Sequence, residues 1–142
     1  MSNKVLCIKE PNSWGSALLH FLGLDVLLFR HMVVRQLLSR TGKGFLLAWQ
    51  GRSVDNTLVS EFCVLLMNEL CWPNSFFFPD DPLRLLLIPD GLGMNDIDFL
   101  AECEKKFRYD GLSCRLLNSL PSITVFDTVR LIERAYCESN TP

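Results

Sequence analysis

Chemistry at neutral pH needs a base, a nucleophile or a set of metal ligands, and few residues here offer one. The two histidines, His20 and His31, both fall in the N-terminal third, with no nucleophile spaced to work with either. Six cysteines are present, Cys7, Cys63, Cys71, Cys103, Cys114 and Cys137, and none forms a CxxC pair. A structural zinc site draws on closely spaced ligand pairs, so no metal is expected, and the thiols read as small buried hydrophobes. TGKG at 41–44 invites a phosphate-loop reading, but Leu37 stands where that motif needs glycine and Gly44 where it needs Ser or Thr. A plain turn is the expectation there. Carboxylates are numerous, yet no two are singled out as an acid–base pair for hydrolysis. No catalytic residue is therefore assigned, and the chain is not expected to be an enzyme.

The carboxylates are distributed unevenly. Before Val54 seven cations (Lys4, Lys9, Arg30, Arg35, Arg40, Lys43, Arg52) face only Glu10 and Asp25, a net +5; from Val54 onward 7 basic and 14 acidic residues give −7. Such asymmetry divides the chain into a basic N-terminal extension, 1–54, and an acidic domain, 55–138, with 139–142 as a tail. The basic residues are not interleaved with an aromatic platform and the whole chain carries −2, so nucleic acid is not an expected partner. With 49% hydrophobic residues the chain can build a real core. The opening MSNKVLCIKEPNSWGS lacks a charged flank leading straight into a long apolar run, which favours a cytoplasmic location.

These side chains need elements to place them. Val5 and Ile8 suggest a short strand at 4–9, stopped by Pro11. The apolar run 17–29 is too short to span a bilayer and contains Asp25, so a buried helix is expected. The rival is weak contact of 17–40 with a membrane surface, because Arg30, Arg35 and Arg40 follow. A second short strand is expected at 45–49. From Asp55 the pattern is helical: Asp55 or Asn56 caps a helix to about Cys71, with Leu58, Phe62, Leu65, Leu66, Met67 and Leu70 inward. The long connection 75–92 holds Phe76, Phe77 and Phe78, and its apolar content predicts that it folds over the core. Asp80 and Asp81 read as turn residues beside Pro82. Asn95 caps a second helix with Ile97, Leu100, Cys103 or Glu104, and Phe107 inward, cations at its end and Gly111 at its exit. A short third helix is expected at 114–120. Thr124 and Asp127 form a capping box for a last helix with Val125, Val129, Ile132 and Tyr136 on one face.

The order of long helix, apolar loop, glycine-turned and capped helix, short helix and amphipathic helix resembles the acyl carrier protein family. Three stretches carry the likeness: FPDDPL at 78–83, LGMNDIDFL at 92–100, and SITVFD at 122–127. The resemblance implies a mainly α chain, an acyl-carrier-like four-helix bundle with an N-terminal extension of helix plus short strands. It covers 55–137, and the bundle is expected to fold without 1–54. In that family a serine at the start of the second helix carries 4'-phosphopantetheine. Here Asp96 or Gly93, depending on the alignment, takes the serine's place, and 92–100 contains no Ser, Thr or Tyr. Neither residue can form the phosphodiester, so no cofactor is expected. The likeness is nearer to a group of enterobacterial acyl-carrier-like proteins with acidic residues and glycine at this turn. It implies a partner protein with a basic patch, docked by Asp96, Asp98 and Glu102. The alternative is a working carrier modified at another serine, for which Ser113 is the nearest candidate downstream.

Overall fold

The computed structural model describes residues 5–7, 25–87, 96–120 and 122–141. Among these the chain is mainly α-helical, with seven helices and no strand. They are α1 (Asp25–Leu38), α2 (Gly42–Trp49), α3 (Asn56–Glu69), α4 (Leu83–Leu86), α5 (Asp96–Phe107), α6 (Leu112–Ser119) and α7 (Val125–Ser139). No described helix is long and apolar enough to cross a membrane.

Helix α3 sits at the centre, packing against α5 and α7, while α5 packs against α6. Its start is set by Asp55, whose carboxylate accepts the Thr57 N–H at 2.7 Å. Leu58, Val59, Phe62, Cys63 and Leu66 are buried along it. Phe62 meets Phe99 edge-on at 6.1 Å and lies 6.4 Å from Phe107, which joins α3 to α5 through aromatic contacts. Val59, Cys63 and Phe99 extend the inner faces beyond the positions that periodicity selects. Leu65 and Met67 are only partly buried.

Two of the described helices end on a left-handed residue that is not glycine. Cys71 (φ 55°) and Arg108 (φ 49°) take the left-handed conformation, and the following N–H groups, of Trp72 and Tyr109, donate to the carbonyls of Met67 and Glu104. Both ends are therefore Schellman turns. Gly111, expected as the exit of α5, instead opens α6 at φ 85°. Arg30 supports the first turn: its guanidinium donates to the Leu70 and Cys71 carbonyls at 2.7 and 3.0 Å and lies 4.2 Å over the Trp72 ring.

The two expected strands are corrected. Residues 45–49 belong to α2, because the Thr41 hydroxyl accepts the Gly44 N–H and caps a helix that starts at Gly42, the stretch read as a plain turn. In the first segment only Val5, Leu6 and Cys7 are described, and they form no ladder. Their backbone partners are side chains: Gln36 both donates to and accepts from Cys7, and Asp81 accepts the Leu6 N–H. Residues 17–24 lie outside the described part. Helix α1 buries Val33 and Leu37 but leaves Leu27, Leu28 and Leu38 exposed.

The connection after α3 does fold over the core, with Phe77 and Phe78 buried. Its far end is pinned to α7: Leu83 N–H donates to Ile123 C=O, Val125 N–H to Asp81 C=O, and Phe126 N–H to Pro79 C=O. The Thr124–Asp127 capping box is present in both directions. Val125, Val129 and Ile132 are buried, while Tyr136, at the end of that face, is 37% exposed. Val33, Leu37 and Trp49, from before the charge boundary at Val54, enter the same hydrophobic cluster as Phe62, Leu83 and Ile132 from after it.

Candidate functional site

The acidic start of α5 is positioned by the helix's opposite side. Phe99, Leu100, Cys103 and Phe107 are buried, which turns Asp98, Ala101 and Lys105 to solvent. Asp98 and Glu102 stand one turn apart on the outer surface. Asp98 also lies in the first turn, where the helix dipole favours a negative charge. Glu102 shares its charge with Lys105, 3.8 Å away; with the two side chains 44% and 79% exposed, this pair is weak. Asp96 opens the helix. Gly93 and Asn95 lie outside the described residues, as does the turn that a prosthetic serine would occupy.

Glu104, one of two candidates for the inner face, does something else. Its carboxylate accepts the Ser113 N–H at 2.9 Å and supplies the cap that Gly111, lacking a side chain, cannot give α6. Hydrogen bonds from Ser113, its backbone N–H foremost, hold the Glu104 carboxyl below the usual carboxylate range. Ser113 is thus half-buried in the first turn of α6 and tied to α5. Cys103 takes the inward position instead.

Asp80 and Asp81 are more than turn residues. Asp81 is fully buried and receives both arms of Arg40, at 2.6 and 2.8 Å, together with the N–H groups of Leu6 and Phe78. The Arg40 guanidinium also donates to Phe76 C=O and lies 3.8 Å over the Phe78 ring. Asp80 pairs with Arg52 at 2.6 Å near the surface. The available signal was an acidic pair set between two prolines, Pro79 and Pro82, just after three phenylalanines, a place where a carboxylate is drawn under cover only by a partner.

The cysteines divide. Cys63 and Cys103 are buried, and burial, the first cause at each, pushes both thiols well above their ordinary range and leaves them unreactive. Cys7, Cys71, Cys114 and Cys137 are exposed, against the expectation of buried thiols, because each sits at a helix end, in a linking segment or on an outer helix face. Among the described residues no three His, Cys, Asp or Glu side chains are placed to hold a metal ion. His31 is exposed on α1, and His20 lies outside the described residues.

A groove of about 610 Å³ runs between α2 and the first turns of α3, lined among others by Lys43, Leu46, Leu47, Arg52 and Val59. Among the described residues no carboxylate lines it. No protein-family model, curated protein or solved structure matches the chain.

Proposed function

We propose that the chain is a non-catalytic interaction module of the acyl-carrier type, without a prosthetic arm, which docks a basic patch of a partner protein through Asp96, Asp98 and Glu102. The observation that carries this reading is the exposure of Asp98 on a helix whose opposite face is buried, two residues after Asp96, one of the two positions that the resemblance gives to the serine. The order of α3, the apolar connection, α5, α6 and α7 supports the carrier shape. The lack of any hydroxyl side chain in 92–100 supports the loss of the arm.

Two measurements test it. Partner capture by the wild-type chain should be lost in the D96K/D98K/E102K variant, and unchanged capture overturns the assignment of this face. Incubation with coenzyme A and a phosphopantetheinyl transferase should leave the mass unchanged. A gain of one phosphopantetheine group would mean a working carrier modified at another serine.

A further inference from the structure

The segment 5–7 is held by its backbone and by one side chain. Leu6 is 2% exposed and belongs to the same hydrophobic cluster as Val33, Leu37 and Phe77, whereas Val5 and Cys7 on either side of it are exposed. The backbone bonds end on side chains. Leu6 N–H donates to Asp81 Oδ1 at 3.0 Å, Cys7 N–H to Gln36 Oε1 at 3.2 Å, and Gln36 Nε2 to Cys7 C=O at 3.0 Å. A carboxamide carries a donor and an acceptor side by side, as a peptide group does. Gln36 therefore exchanges two bonds with Cys7, as the facing residue of a neighbouring antiparallel strand would.

The site does not need the segment in order to exist. Without Leu6, Asp81 keeps both bonds from Arg40 and the one from the Phe78 N–H, so its carboxylate stays in place. Gln36 is carried on α1, which Val33 and Leu37 anchor in the core. The segment, by contrast, depends on Leu6 and three hydrogen bonds, and those bonds read main chain rather than side-chain identity.

We infer that residues 5–7 form a releasable strap, docked in cis in a site already built for an extended segment with one leucine-sized side chain. Release uncovers the Gln36 carboxamide and one acceptor position on Asp81 while the helices stay folded. A short segment with a single buried anchor opens ahead of the core beneath it. The strap thereby governs whether the Arg40–Asp81 pair, dry in the closed form, meets water. It shares no residue with the acidic face of α5.

The test is residue-resolved amide hydrogen exchange of the full chain. Leu6 and Phe78 donate to the same carboxylate, so one serves as the reference for the other. The Leu6 and Cys7 amides should be protected relative to a free peptide, yet exchange at least about tenfold faster than the Phe78 amide. Q36A removes two of the three bonds and leaves the cluster intact. It should speed the Leu6 and Cys7 amides by at least about fivefold and leave Phe78 unchanged. A fluorescent peptide of residues 1–10 should bind the L6D chain, whose own strap cannot seat, and bind the wild type at least about tenfold more weakly. Equal exchange at Leu6 and Phe78 would mean that the segment leaves only on unfolding, and free-peptide exchange at Leu6 would mean that it does not dock. Either result overturns the inference. So would peptide binding to a folded L6D chain that is no tighter than to the wild type, or a wild-type dimer in sedimentation velocity that Q36A dissociates, which would place the strap on a second copy.

Discussion

Four hydrogen bonds end on the Asp81 carboxylate, two from Arg40 and one each from the Leu6 and Phe78 N–H groups. With both side chains out of water, neither charge can be left without the other. Removing one partner of such a pair costs about 3–5 kcal/mol, chiefly because the remaining ion stays buried. Arg40→Met should therefore lower the unfolding free energy in urea by about that amount. Replacing both residues with apolar ones should recover only part of the loss, since the Leu6 and Phe78 N–H groups would then have no acceptor. A double-mutant cycle measures the difference. The pair was not legible in the sequence. A carboxylate next to proline reads as a turn former, and Arg40 reads as one of several scattered cations. Only the fold brings these residues, 41 positions apart, within 2.6 Å.

At the scale of elements, α3, α5, α6 and α7 were legible because caps and periodicity state where helices begin and which face is buried, whereas α4, a single turn inside the connection 75–92, was not. Asp55 caps α3 and the Thr124–Asp127 box caps α7, and both are local signals. The αL turns at Cys71 and Arg108 were hidden, because glycine is the usual marker and neither is glycine. Helix α2 was hidden too: an eight-residue apolar segment suits a strand as well as a helix, and its cap, Thr41, stands before two glycines. Of the α5 site, Asp98 and Glu102 were legible as outward residues, while the role of Glu104 depends on α6 folding back beside it. That role has a pH signature. The folded-state pKa of Glu104 is lowered, so its contribution is present above the unfolded value, about 4.3, and is lost as pH falls through the folded value. Glu104→Gln keeps an acceptor for Ser113 but not the charge. Thermal melts should show the wild type losing more stability than E104Q between neutral pH and about pH 3, below the unfolded value. Equal losses would mean that the α5–α6 link does not depend on ionisation.

For the whole molecule, composition suggests a basic extension beside an acidic bundle, whereas packing joins the two. Val33, Leu37 and Trp49 lie in one cluster with the residues of α3 and α7. The Trp49 indole donates to Phe77 C=O at 2.9 Å, and Asn74 donates to Leu37 C=O at 2.8 Å. A chain beginning at Val54 would expose these surfaces and leave Asp81 without Arg40. We expect it to lose its cooperative thermal transition, measured by circular dichroism. A sharp transition in the shortened chain would show that the acidic part folds alone. The Asp81 junction also bears on the order of folding. It joins positions 41 and 75 residues apart, so its loops close at an entropic cost that the local helices do not share. On the hypothesis that it forms after the folding barrier is crossed, it sets how long the native chain persists rather than how fast that state is reached.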